Sequence, residues 1–287
     1  MERLEDNKLH CCFQDWMKQE QSDLTELLQT LKRSPADDEH LCLLAEKVIK
    51  HFEEYISNRA VLAQRDAPSL LYPSWCTSFE NAFFWIGGYK PSLSIRLVFS
   101  LLGSRLEDQP QPLAKSIEGE SKAKADDYEI QPAKSSQGEK KVNSGLGDLS
   151  PGQLNLIKNL YHNAVKEEEK LSNQIISFQE NVGDDSVELT GKNWNKVDEL
   201  NDLMNQSLDA HSLSITNLLV EADNLRLSIL RELVLGILKP LQSVEFLIAT
   251  KKLHISMHEW GKKSNHGRLK TPEFHCLTHT LNTTTFI

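Results

Sequence analysis

"KVDELNDLMNQSLDAHSLSITNLLVEADNLRLSILRELVLGILKP" (residues 196–240) decides the fold. Val197, Met204, His211, Leu218 and Leu225 recur every seven residues, and Leu208, Ile215, Ala222 and Ile229 repeat that interval in a second row. Two rows at heptad spacing make one continuous seam on an α-helix. The segment is therefore a long helix that must bury this face, within its own chain or against a second copy. Pro240 ends it, because proline lacks the N–H that the next turn would use. His211 lies on the seam and reads as a tolerated polar residue, with a ligand role as the alternative.

The flanking segments are helical too. "DLSPGQLNLI" (148–157) carries Ser150 as N-cap, Pro151 at the first helical position and Gln153 completing a capping box. The helix it opens runs to about residue 180, before a polar break at 181–191. Its "KEEEK" (166–170) reads as a solvated face. Near the amino terminus, Phe13, Trp16, Met17, Leu24, Leu27, Leu28 and Leu31 keep one helical stripe, broken once by Glu20. Ser34-Pro35 stops it. A second helix presents Leu41, Leu44, Val48, Ile49, Phe52 and Ile56, and Pro68 and Pro73 punctuate the loop after it. Ser78 is placed to cap a short apolar helix that Gly87-Gly88 would end. A further buried helix starts near Pro91 and runs to Leu102. In the last helix (241–260), Phe246, Leu253, Met257 and Trp260 share the face expected to pack on the core.

No β-alternation of useful length occurs, so the fold class is all-α, a single bundle of about six helices. The expected domain spans 10–261, with helices in 10–103, a disordered linker at 104–147 and long helices in 148–261. Residues 1–9 and the tail at 262–287 are expected to be flexible. Polar residues dominate the linker, and its sparse apolar residues show no period.

Composition narrows the function. The net charge of −9 argues against a non-specific hold on nucleic acid or anionic lipid. Five cysteines without a C-x-x-C spacing read as reduced thiols in an intracellular protein. The charged start "MERLEDNKLH" does not look like a secretory leader, and no run is long and apolar enough to span a membrane.

"KKLHISMHEWG" (251–261) holds the chemically suggestive pair. At 100° per residue, His254 and His258 lie about 100° and 140° round from Leu253, side by side at the rim of the buried face. Such a pair can chelate one metal ion, or can simply edge a helix. The zincin order H-E-x-x-H is absent, since Glu259 follows the second histidine. Adjacent rings on one helix cannot take opposite faces of a single haem, so at most one could ligate a given iron.

Taken together, "FQDWMKQE" (13–20), "TSFENAFFWIGGYKPSLSIRLVFSLLGS" (77–104), "DLSPGQLNLIKNL" (148–160), "EEEKLSNQIISFQENV" (167–182), "LLVEADNLR" (218–226) and "KKLHISMHEWG" resemble the plant Delay of Germination family. That domain is similar to the C-terminal region of TGACG-motif-binding bZIP transcription factors. The resemblance implies a non-catalytic regulator of seed dormancy and germination, located in nucleus and cytoplasm. It implies haem binding through His254 and His258. It further implies contact with clade A type 2C protein phosphatases of abscisic-acid signalling, through Phe13, Asp15, Trp16 and Met17. The alternative is a transcription regulator of the bZIP-domain type. Direct DNA binding is not expected, because no Lys/Arg-rich helix precedes the first stripe. Self-association through the seam is the remaining partner expectation. Between Leu225-Arg226 and Pro240 the chain is one residue longer than the family pattern, which rotates a helix by about 100° unless a bulge absorbs it.

Overall fold

The computed structural model describes residues 2–106, 145–192 and 197–268. Among these there are seven α-helices and no strand: α1 (Glu2–Arg33), α2 (Asp38–Leu71), α3 (Ser78–Phe83), α4 (Pro91–Leu106), α5 (Pro151–Lys192), α6 (Val197–Arg231) and α7 (Pro240–Arg268). The all-α bundle is as expected. The 107–144 part of the expected linker and the tail from residue 269 lie outside the described residues. The linker's last residues do not fit the expectation: Leu146–Asp148 form a turn of 3-10 helix, Leu146 is buried, and its N–H donates to Glu245 at 2.7 Å.

The seam is used inside the chain. Ile215, Leu218, Leu219 and Ala222 pack with Ala63, Ala67 and Leu70 of α2 and Leu171 of α5. Farther along, Ile229 joins the main core of Leu27, Leu41, Val48, Ile95, Ile157 and Phe246. Helix α1 starts well before the expected stripe, and Leu9 is buried beside the seam. His211 is half-buried, edge-on to Phe178 at 5.3 Å.

Side chains set the helix ends. The Ser150–Gln153 capping box forms in both directions, at 3.0 and 3.2 Å. Helix α2 runs past the expected stop. Asp66 leaves helical geometry (φ −153°, ψ 74°) and its carboxylate accepts from Ser69 N, so a new helical turn starts there and accommodates Pro68. Helix α5 likewise continues through the expected 181–191 break. Its "KEEEK" face is not wholly solvated: Glu168 is buried and accepts from Ser92 N (2.7 Å) and Ser92 Oγ (2.9 Å), capping α4 from another helix.

Glu232–Ile237 before Pro240 are π-helical, and Leu238 N reaches back five residues to Leu233 O at 3.0 Å, the kind of bulge that would absorb the expected extra residue. The carbonyls this frees are met by side chains. Ser243 Oγ donates to Val234 O (2.7 Å) and Gln153 Nε2 to Ile237 O (2.8 Å). Gln242 Oε1 accepts from Lys239 N and from Gln153.

Three expectations for the aromatic segments fail, the first being the cap of α3, which is Thr77 and not Ser78. Helix α3 ends at Phe83, and its Phe83 is about half exposed because the helix lies on the outside of the bundle. Gly87 is not a helix cap. Ile86 (φ 46°) and Gly87 (φ 68°) form a tight turn closed by Trp85 and Gly88. A Cβ on Gly87 would meet Leu70 O at 2.7 Å, so glycine is required by both conformation and space. On α7, Phe246 and Met257 are buried as expected, but Leu253 and Trp260 are exposed. The inward face there is given over to Lys251.

Candidate functional site

A groove runs between α1, α3, α7 and the turn at 84–90. Phe13, Trp16 and Met17 of α1 and both His254 and His258 of α7 line it. Five of the six residues singled out in the sequence thus meet at one place. Asp15 does not: its side chain is mostly exposed and pairs with Lys18 at 2.8 Å.

The groove is built on a buried ionic network. Glu20, the residue that interrupts the apolar stripe of α1, is 2% exposed. Its Oε1 accepts from Lys251 Nζ at 2.7 Å, and the same ammonium donates to Asp23 Oδ2 at 2.9 Å. Lys251 also stands over the Trp16 ring at 4.7 Å. Burial alone would raise the Glu20 pKa, but the Lys251 charge and the His254 contact outweigh it and hold the carboxyl below its ordinary value. Asp23 Oδ1 in turn meets His51 Nδ1 at 2.8 Å.

Each of the two histidines has a carboxylate beside it, and that of His258 is hydrogen-bonded. His254 Nδ1 lies 3.4 Å from Glu20 Oε2, and its ring stacks on Tyr89 at 4.8 Å. His258 Nδ1 lies 2.6 Å from Glu80 Oε1, with Phe13 edge-on at 5.5 Å. Glu80 is itself fixed, because its other oxygen accepts from Thr77 N and Thr77 Oγ1 in the capping box of α3. The two rings are therefore neighbours in sequence but anchored to different helices.

The far wall is a second charged cluster. Asp223 Oδ1 lies 2.7 Å from Arg226 Nη1 and 3.4 Å from Arg59 Nη1. Arg226 donates to the carbonyls of Trp85, Ile86 (2.9 Å) and Tyr89 (2.8 Å), and Arg59 donates to Gly87 O (2.9 Å). Two guanidiniums thus clamp the 84–90 turn against α2 and α6. Burial pushes the Tyr55 and Tyr89 phenols well above their ordinary range, so both stay protonated. Among the described residues no three His, Cys, Asp or Glu side chains are grouped to hold a metal ion.

Sequence reasoning missed Glu20, Glu80, Lys251 and the arginines. The signal for Glu20 was its position, a carboxylate in the middle of an apolar stripe. For Asp223 and Arg226 it was their i, i+3 spacing on the core side of the seam.

The comparisons with known proteins bear on the same segments. A family model described as "DOG1: Seed dormancy control" matches residues 23–100, from the buried Asp23 to the middle of α4. Protein DOG1-like 1 of Arabidopsis thaliana is 31% identical over 259 residues, 90% of each chain. Protein DOG1-like 3 of the same plant is 32% identical over 260 residues, covering 88% of this chain and 83% of the relative. The chain belongs to the DOG1-like family of seed-dormancy proteins. Transcription factor TGA2.1 of Oryza sativa subsp. japonica is also similar, 28% identical over 139 residues, but covers only 48% of this chain and 39% of its own. None of these DOG1-like relatives carries the name of an enzyme. Among the described residues, no helix is long and apolar enough to cross a membrane.

Proposed function

We propose that this DOG1-like protein is a non-catalytic regulator of seed dormancy and germination that works by binding at the α1–α7 groove. Its ligands are haem, through His254 or His258, and a clade A type 2C protein phosphatase of abscisic-acid signalling, through Phe13, Trp16 and Met17 with Asp15 beside them. One observation carries the reading: a buried carboxylate stands behind each imidazole, Glu20 behind His254 and Glu80 behind His258. Ligating histidines use such partners to fix ring orientation and to gain basicity, with Nδ1 engaged and Nε2 left for the metal. The donor set therefore fits an axial imidazole. Both rings stand at the rim, 28% and 15% exposed, so ligation does not require a macrocycle inside the cavity. Iron bound there would supply redox and small-ligand chemistry, while the chain supplies the imidazole and its orientation.

Haem titration into the purified protein should give a Soret band that disappears in the variant with both histidines changed to alanine. An unchanged spectrum would remove these residues from the reading. For the phosphatase, Trp16→Ala should weaken binding to a purified clade A type 2C phosphatase. Unaltered affinity would place that partner elsewhere.

The partial likeness to TGA2.1 favours a second reading, action on transcription in the nucleus through bZIP partners. Co-precipitation with a purified TGA factor tests it, and failure of the two proteins to associate would count against it.

A further inference from the structure

The sequence holds Ser/Thr-Pro dipeptides at Ser34, Ser150 and Thr271, the last of which lies outside the described residues. The fold treats the other two in opposite ways. Ser150 is locked: its Oγ accepts from Gln153 N at 3.2 Å and its N–H donates to Gln153 Oε1 at 3.0 Å. Gln153 is buried and bonded onward to Ile237 O and Gln242, so pulling Ser150 out of place undoes the start of α5. Ser34 is partly exposed in the link 34–37 between α1 and α2. Its N–H donates to Thr30 O and its carbonyl accepts from Asp37 N, but its hydroxyl has no hydrogen-bond partner among the described residues. No residue from 31 to 40 is buried, so local opening of this stretch strips nothing from the core.

The neighbours of that hydroxyl narrow the chemistry. Pro35 disfavours helical backbone at Ser34, which leaves the serine in an extended segment of the kind an enzyme groove can take. Pro35 also offers no N–H, so only an enzyme that needs no hydrogen bond from the following residue accepts this site. A phosphoserine carries about −1.5 to −2 charges at neutral pH. Lys32 and Arg33 stand just before Ser34, both exposed and without an ion-pair partner among the described residues, and can pair with such a group. Asp37, Asp38 and Glu39 follow it, so the modified link gains an acidic edge remote from the groove contacts.

We infer that Ser34 is a phosphorylation site for a proline-directed Ser/Thr kinase. Ser34 Oγ attacks the γ-phosphorus of Mg-ATP while its proton passes to the catalytic carboxylate of the kinase. The Oγ–P bond forms, the bond from the γ-phosphorus to the β–γ bridging oxygen breaks, and ADP leaves. The inference goes beyond the haem and phosphatase proposal and does not depend on it.

The test is incubation of the full-length protein with Mg-ATP and a purified mitogen-activated protein kinase and, separately, a cyclin-dependent kinase. Mass spectrometry of proteolytic fragments then locates the phosphate. At least one of the two kinases should place phosphate on Ser34, and Pro35→Ala should slow its appearance about tenfold or more. Ser34→Ala should lose that phosphate while its urea midpoint stays with the parent, because the side chain lies outside the core. Ser150 should remain unmodified, held in its capping box. No phosphate on Ser34 with either kinase would overturn the inference, as would an unchanged rate in Pro35→Ala. Modification of Ser150 as fast as Ser34 would also overturn it, since the fold would then not select the site.

Discussion

Two regions of the bundle bury polar groups and finish differently. At the α6–α7 junction, neutral amides and hydroxyls meet the carbonyls released by the π-helical turn. Gln153, Gln242 and Ser243 leave no side-chain atom there without a partner. At the groove, full charges are buried instead, and Glu20 Oε2, Arg59 Nε and Thr250 Oγ1 are left without a hydrogen-bond partner among the described residues. Buried ion pairs are weak stabilisers compared with packed apolar residues, because desolvation consumes most of the Coulombic gain. The junction is what a fold needs in order to close. The groove keeps charges, rings and unpaired polar atoms that closure alone does not require, and that contrast supports a binding role.

The sharpest way to break the comparison is Lys251→Met. It leaves Glu20 and Asp23 buried without their cation and should cost about 3–5 kcal/mol of unfolding free energy. Urea denaturation measures it, and a loss no larger than that of a surface change would mean the network is solvated. At the junction, Gln153→Leu strands Ile237 O and the Ser150 N–H, with an expected loss of about 1–3 kcal/mol.

Acid should act on the groove through Glu20. Glu20 has its folded pKa lowered from 4.5, so the unfolded chain binds the proton more readily. Its contribution is complete above about pH 4.5 and fades as pH falls through the lower folded value. Urea midpoints should therefore drop more between pH 5 and pH 3 in the parent than in Glu20→Gln. The smallest effect is expected at Asp15, whose exposed pair with Lys18 contributes little. Asp15→Asn should shift stability by less than about 0.5 kcal/mol.

Much of this architecture was legible in local sequence. The seam from Ile215 to Ile229 gave α6 and its buried face, and Ser150 with Gln153 marked the start of α5. The one-residue excess before Pro240 pointed to a bulge, and a π-helical turn stands there. The groove was only half legible. Periodicity assigns a face to His254 or Phe13, but it cannot pair Lys251 with Glu20, 231 residues away, or Ser92 with Glu168 across 76. The "KEEEK" face was therefore read as solvated, while Leu253 and Trp260 were read as core because the helix was expected to turn its apolar side inward. Helix α7 is amphipathic in the opposite sense at this point, with its lysine inside and its tryptophan outside.

The central claim, that the α7 histidines are held for binding and not for closure, is tested most directly by His254→Gln/His258→Gln. Glutamine can replace the His258 donor to Glu80 and stand beside Glu20, so the bundle keeps its buried contacts while the imidazoles are gone. The account predicts an unfolding curve within about 1 kcal/mol of the parent, the usual scale of one hydrogen bond, together with loss of the haem Soret band. A Soret band that survives in this variant, or one lost only because the bundle unfolds, would contradict it.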